Sequence, residues 1–175
     1  MNKMSFSRHH THTVALVFLL WVVTIVGNGC YSFTGGSVPP HLKTLSIATT
    51  VDNSNYSLPV YRDVITRLLV DKFRNDNSFT LVDRDGDARL SSFITAIREE
   101  PVSVKAGDIE RERKITITVD VEYYDAVKKK QIFKRSFSRF ESFTVADAVT
   151  GRDKALRTSI TQICDDILLA VVSGW

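Results

Sequence analysis

The chain has 175 residues, 43% of them hydrophobic, and a formal net charge of +3. This length is enough for one domain with its own hydrophobic core, and the small net charge gives no indication of nucleic-acid binding. Two cysteines are too few for a disulfide-rich scaffold.

The N-terminal residues have the pattern of an export signal. Residues 1–13 carry two basic side chains and no acid, and residues 14–26 form an apolar run. This run suits a signal peptide and is shorter than the roughly 20 residues that span a bilayer. Small residues then lead to Cys30, as in a bacterial lipoprotein processing site. We therefore expect residues 1–29 to be removed and Cys30 to receive a diacylglycerol and a further acyl chain. A secretory signal cut near Gly29 and an uncleaved anchor are the alternatives.

Loss of this leader would restrict the chemistry of the mature chain. The formal charge would fall from +3 to +1, because the leader carries two basic residues and no acid. Cys164 would have no disulfide partner, and His41 would be the only remaining histidine. A Ser-His-Asp or Cys-His arrangement would have to use His41, which lies beside Pro39 and Pro40 in an apparent connector. The sequence therefore predicts a protein that is not an enzyme and has no metal site or cofactor.

A short lipidated tether, residues 30–42, precedes a single predicted domain over residues 43–175. The alternation at 43–48 predicts a strand, and residues 52–57 predict a polar loop. The following apolar residues recur every three or four positions and predict a helix that begins near Pro59. They are Tyr61, Val64, Ile65, Leu68, Leu69 and Phe73.

Strands are predicted next, at residues 79–82, 88–98, 115–123 and 131–143. The third has the cleanest alternation of apolar and polar residues, which indicates one buried and one solvated face. In the second, the alternation places Leu90, Ser92, Ile94 and Ala96 on one face and Phe93 and Ile97 on the other. The last predicted strand bears Phe133, Phe137, Phe140 and Phe143.

The C-terminal element is a predicted helix with Thr150 as its N-cap and Ser173-Gly174 at its end. Its apolar stripe is Leu156, Ile160, Ile163, Ile167 and Val171. The element order β-α-β-β-β-α predicts an α+β two-layer sandwich, in which two helices pack on one face of a mostly antiparallel sheet of four to five strands.

One candidate binding site is a basic turn formed by Lys128, Lys129 and Lys130. In an antiparallel meander this turn would share one end of the sheet with Arg84, and the cluster Arg111, Arg113 and Lys114 would lie at the other end. Adjacent cations can gather phosphate or carboxylate groups, and the alternative is a solvated hairpin tip whose lysines discourage edge pairing. The acidic segment 83–87 is not a calcium loop, because it lacks the glycine and glutamate that an EF-hand requires at its sixth and twelfth positions.

The chain resembles the lipopolysaccharide-assembly lipoproteins, the LptE family, along most of its length. The most specific match is the run that starts at Cys30-Tyr31-Ser32-Phe33 and continues through residues 35–47. Further matches are Leu81-Val82-Asp83, then Asp87-Ala88-Arg89-Leu90, and residues 115–121.

This resemblance implies an α+β domain with two helices and four strands on the periplasmic side of the outer membrane. It also implies a non-enzymatic role, in which the domain plugs a β-barrel translocon, the LptD protein, and supports insertion of lipopolysaccharide at the cell surface. Arg84 and the three lysines of the turn are the candidate lipopolysaccharide-binding residues. Two other functions compete with this one: activation of a peptidoglycan synthase, which would need a longer tether than this chain has, and binding of small periplasmic ligands.

Overall fold

A computed structural model describes residues 38–56, 58–102 and 111–173 of the chain. The predicted signal peptide, the predicted lipid site Cys30 and most of the predicted tether lie outside these residues. All of the described residues belong to one compact unit, Gly35–Trp175.

Six strands and two α-helices are present in this part of the chain. The strands are β1 (Thr44–Ile47), β2 (Val51–Asp52), β3 (Thr80–Leu81), β4 (Ala88–Pro101), β5 (Glu112–Asp125) and β6 (Lys130–Thr144). Helix α1 (Val60–Asp76) lies between β2 and β3, and helix α2 (Ala148–Ser173) follows β6 after a 3-10 turn, Val145–Asp147.

The strands form one mixed sheet in the order β3-β1-β4-β5-β6, and β2 pairs with a later part of β4. Strands β4, β5 and β6 are a long antiparallel meander, whereas β1 is parallel to both β3 and β4. The prediction that β3 and β4 are consecutive strands of an antiparallel meander is therefore wrong, because β1 lies between them. Strands of two and four residues carry too little alternation to reveal this pairing in the sequence.

Strand β4 contains a β-bulge at Thr95. Ile94 pairs with Val119 and Ala96 with Thr118, so that Thr95 has no partner of its own on β5. An extra residue reverses the faces of the side chains beyond it. Leu90, Ser92 and Ile94 share one face as predicted, and this face is buried in the core. The predicted faces of the next two residues are wrong, because Ile97 packs against the core and Ala96 faces outward.

Helix α1 packs its apolar stripe against the sheet and against α2. Pro59 occupies the N-cap position, and Asn77 ends the helix in the left-handed conformation with its N–H bonded to the Phe73 carbonyl. Ile65, Leu69 and Phe73 are fully buried, and full burial of such a side chain contributes roughly 1.5–3 kcal/mol. The predicted helix and its apolar face are therefore confirmed.

Helix α2 covers β5 and β6. Its buried residues include the five predicted for the stripe, and it ends at Ser173 as predicted. The predicted N-cap is wrong, since the helix begins at Ala148 and includes Thr150 in its first turn. Along the edge strand β6, Arg139 forms two hydrogen bonds of 2.8 Å with Asp166 of α2, and Glu141 accepts one of 3.0 Å from Gln162. Charged residues that turn inward in this way fix an edge strand to its own domain.

The predicted fold class is confirmed. Two helices pack on one face of the sheet, and the core lies between the two layers. The opposite face of β4, β5 and β6 is uncovered within the described residues, as the alternation in β5 predicts.

Candidate anion-binding end of the sheet

The candidate basic site lies at the end of the sheet where β4 begins and β5 ends. Ala88 pairs with Asp125 across these strands. The N–H of Ala126 also donates to the Asp87 carbonyl at 2.8 Å. The connection that carries Arg84 and the turn that carries the three lysines therefore lie side by side, although β3 and β4 are not neighbours.

The buried carboxylate of Asp125 organises the lysine turn. Its Oδ1 accepts a 2.7 Å hydrogen bond from the Lys128 N–H, and its Oδ2 lies 2.7 Å from His41 Nε2. Burial acts to raise the pKa of Asp125, but the hydrogen bonds from His41 and Lys128 outweigh it and hold this pKa below its ordinary value. One ionised carboxylate thus ties the turn to the segment that enters β1.

A second carboxylate fixes the start of β1 at the same end. Asp87 Oδ2 accepts hydrogen bonds from the N–H groups of Thr44 at 2.9 Å and Lys43 at 3.0 Å. The Thr44 hydroxyl accepts one from the Asp87 N–H at 2.8 Å. These bonds lower the pKa of Asp87, with the bond from the Thr44 N–H as the largest cause.

Gly86 allows the connection from β3 to β4 to pass directly over β1. A Cβ atom at this position would lie 2.6 Å from the Ser46 backbone nitrogen and 2.8 Å from the Ala88 carbonyl oxygen. Both are backbone atoms within paired strands, so neither can move away easily. The connection therefore approaches the backbone of β1 more closely than a residue with a side chain would allow.

The three lysines form the exposed tip of this end. Lys128, Lys129 and Lys130 are all exposed, and within the described residues none of them takes part in an ion pair. Lys129 has a φ of 52°, a left-handed conformation that is uncommon for a lysine. Val127 beside them exposes 55% of its surface.

Arg84 is a weaker part of the candidate site than the sequence suggests. It is exposed and lies at the same end as the lysines, but the exposed acids Asp83 and Asp85 flank it. The acid nearest to the lysine turn along the chain is Asp125, which is buried and bound to His41. The positive centre of this end is therefore the turn itself.

Several other basic residues of the sheet are paired with acids of the same domain. Lys134 Nζ lies 2.8 Å from Glu122, and at the far end of the sheet Arg113 Nε lies 3.1 Å from Glu99. Glu99 also accepts two hydrogen bonds from Arg152 of α2, at 2.8 and 3.1 Å. Glu99 therefore neutralises part of the positive charge at the far end, while Arg111 at that end stays exposed.

The uncovered face of the sheet is polar and rich in hydroxyl groups. Thr116, Thr118 and Ser138 lie on it, and Thr118 and Ser138 share a hydrogen bond of 3.1 Å. Together with the end of β4 they line a shallow groove of about 520 Å³. Phe140 is 61% exposed on this face and lies under Lys114 Nζ, which is 5.4 Å from the ring centroid.

Two of these features were not found from the sequence. Phe140 was predicted on β6 together with Phe133, Phe137 and Phe143. Because side chains alternate along a strand, the even-numbered Phe140 lies on the face opposite to the three odd-numbered phenylalanines. The bond between His41 and Asp125 has no signal in the sequence, because it joins residues far apart in the chain.

The described residues contain neither a membrane-spanning helix nor a metal-binding cluster. None of their helices has both the length and the apolar character needed to cross a bilayer. No cluster of three or more histidine, cysteine, aspartate or glutamate side chains in these residues is arranged to hold a metal ion.

The fold is similar to those of several solved bacterial proteins, two of which are described as lipoproteins. The rare lipoprotein B from Shewanella oneidensis is 15% identical, with a TM-score of 0.52 over 73% of this chain and 92% of that chain. A minor lipoprotein from Acinetobacter baumannii is 14% identical, with a TM-score of 0.51 over 74% and 92%. The protein CT253 from Chlamydia trachomatis is 8% identical, with a TM-score of 0.56 over 74% and 95%. These similarities define a fold class that includes small bacterial lipoproteins.

The family is established by the sequence itself. Residues 42–171 match the model of the LptE family, described as lipopolysaccharide-assembly. The chain belongs to this family, and the predicted resemblance is confirmed. There is no significant match among curated proteins.

Proposed function

We propose that this protein is an outer-membrane lipoprotein, acylated at Cys30, that forms a complex with an LptD-like β-barrel and supports its assembly and the insertion of lipopolysaccharide. The match of residues 42–171 to the LptE family carries this proposal. In it the protein performs no reaction and needs no cofactor. Its contribution to the complex is a folded domain that binds the barrel and is anchored to the membrane by its lipid.

The uncovered sheet face supports a position inside a barrel. The lumen of a large barrel is polar and hydrated. A domain that lies in it therefore needs a polar face toward the lumen. Here Thr116, Thr118 and Ser138 supply hydroxyl groups, and the charges of Glu122 and Lys134 neutralise each other at 2.8 Å. Such a face can exchange hydrogen bonds with barrel residues, and the paired charges of Glu122 and Lys134 would enter the contact already neutralised.

The lysine turn supports contact with the phosphorylated sugar end of lipopolysaccharide. A ligand with several phosphates gains more from the adjacent Lys128, Lys129 and Lys130 than one phosphate would. The exposed charges are screened over about 8 Å at physiological salt, so the binding should be weak and sensitive to salt. Arg84 is a secondary contact because two acids flank it.

Purification of the native protein from membranes in mild detergent tests the partnership. Mass spectrometry should identify a large outer-membrane β-barrel in the purified complex. Depletion of the protein should lower the amounts of mature barrel and of surface lipopolysaccharide. Unchanged amounts of both would contradict the proposal.

Two sets of substitutions test the lipid and the ligand. Cys30→Ser should abolish incorporation of labelled fatty acid and release the domain from membranes, and incorporation that persists would exclude Cys30 as the lipid site. Glutamate at all three lysines of the turn should weaken binding of lipopolysaccharide at low salt without changing thermal unfolding. Lys154→Glu is the control, since Lys154 is an exposed lysine of α2 outside the turn. Equal effects of the control and the triple variant would exclude a specific site.

A further inference from the structure

The chain enters the domain at the same end of the sheet as the lysine turn. Leu42 is buried in the core, and Val38 packs against it. Between them, His41 is bound to Asp125, and the Leu42 N–H donates to the Pro39 carbonyl at 2.9 Å. The segment that leads back to Cys30 is therefore fixed at this end from Val38 onward.

Covalent geometry brings this end close to any lipid on Cys30. Val38 follows Cys30 by eight positions in the sequence, and a fully extended chain over eight steps reaches at most roughly 28 Å. Strand β4 runs from this end to Pro101 at the other, a distance of roughly 40 Å at about 3.3 Å per residue. The tether thus limits how far the lysine-turn end of the sheet can lie from the membrane, and the limit for the far end is looser by the length of β4.

The tip has the composition of a membrane-surface contact. Val127 presents an exposed apolar side chain directly before three exposed lysines. Basic residues near an anionic bilayer are attracted to it, and an apolar neighbour can enter the headgroup region. The nearest acid, Asp125, is buried and bound to His41 and Lys128, while Asp83 and Asp85 lie in the adjacent connection.

We propose that residues 127–130 dock on the anionic phospholipid surface of the membrane that holds the acyl chains of Cys30. The acyl chains hold the protein at the membrane, and the lysine turn sets its orientation there. The inference rests on acylation at Cys30, as given under Proposed function. Each lysine near an anionic surface favours contact several-fold, so three of them should raise the ratio of docked to undocked protein roughly a hundredfold.

A fluorescent probe on the acylated full-length protein tests the docking. Val127→Cys provides one reactive thiol for an environment-sensitive dye, because acylation consumes the Cys30 thiol and burial raises the pKa of Cys164 to about 12. The control is Val102→Cys, at the far end of β4, where Val102 is also exposed. Each protein is added to phosphatidylcholine vesicles with and without about 30% phosphatidylglycerol, a common anionic lipid.

We expect the Val127 probe to shift to the blue and to become several-fold less accessible to a water-soluble quencher when phosphatidylglycerol is present. The Val102 probe should not respond. Lys128→Gln with Lys130→Gln should reduce the ratio of docked to undocked protein by more than about tenfold and leave only a weak response at Val127. Circular dichroism establishes that each variant is folded.

Three results would overturn the inference. The first is a Val127 probe that does not respond to phosphatidylglycerol, and the second is an equal response at Val102. The third is a response only when lipopolysaccharide replaces phosphatidylglycerol, which would assign the turn to the glycolipid alone. Failure of the protein to bind pure phosphatidylcholine vesicles would instead overturn acylation at Cys30, and the docking with it. The phosphatidylcholine vesicles therefore distinguish failure of the proposed function from failure of the docking alone.

Discussion

Asp125→Ala should destabilise the domain by about 3 kcal/mol. The carboxylate makes two hydrogen bonds of 2.7 Å, to His41 and to the Lys128 N–H, and hydrogen bonds to a charged group contribute roughly 1.5–3 kcal/mol each. We take the lower value for each bond, because the His41 side chain is 28% exposed. For a domain of this size the loss corresponds to a decrease in Tm of about 10 °C.

Chemical denaturation of the soluble chain without residues 1–30 measures this loss. A double-mutant cycle with His41→Ala should give a coupling energy of at least about 1 kcal/mol, since the two side chains are in direct contact. Asp83→Ala is the control, because Asp83 is an exposed acid of the adjacent connection, and it should change stability by less than about 0.5 kcal/mol. A loss for Asp125→Ala as small as that of the control would refute the assigned role of this carboxylate.

The effect of pH gives a second check on Asp125. The folded state lowers the pKa of this group below its ordinary value of 3.8. Its contribution to stability is therefore fully present above that ordinary value and is lost as the pH falls through the lower pKa of the folded state. The stability difference between the natural chain and Asp125→Ala should be constant near neutral pH and should shrink in acid below about pH 4. A difference that grows in acid would contradict the direction of this shift.

Three further predictions concern single positions. Gly86→Ala should destabilise the fold by about 3 kcal/mol in urea denaturation, because the new Cβ would meet backbone atoms of β1; a neutral effect would show that the connection can lift. Lys129→Gly should stabilise the fold by about 1 kcal/mol by relieving the left-handed lysine, while weakening the charge of the turn; a loss of stability would refute strain at this position. Cys164 should remain unreactive toward a thiol reagent until the protein unfolds, since burial raises its pKa to about 12; rapid labelling of the folded protein would contradict its burial.

Elements with many residues in regular alternation were predictable from the sequence. The alternation in β5 extends over most of a 14-residue strand, and the apolar stripe of α2 extends over several helical turns. A single residue that departs from such a long pattern does not obscure it. The bulge at Thr95 was not predictable from the alternation of apolar and polar residues. Ala96 and Ile97 are both apolar, so the pattern does not show which of them faces the core. The parallel pairing of β1 between β3 and β4 depends on contacts between distant segments, about which local patterns carry no information.

The candidate site was predicted only in part for the same reason. A run of three lysines is visible in the sequence, and the antiparallel pairing of β4 and β5 places it at one end of the sheet. The neutralisation of Arg113 by Glu99 supports the choice of end, but it requires knowledge of which side chains meet. The bond from Asp125 to His41, which connects the turn to the tether, could be found only in the folded structure.

The way in which β1 is held also has a consequence for the order of folding. Strands β4, β5 and β6 are joined by successive hairpin pairings, which close short loops at a low entropic cost. Strand β1 pairs with β4 across the intervening α1 and β3 in the sequence, and its ladders contain two and three residue pairs. We therefore expect the N-terminal segment to dock last and to open first in hydrogen exchange, while the meander stays closed. The contacts of Asp87 and Asp125 would then also determine how long the N-terminal segment stays bound to this end of the sheet.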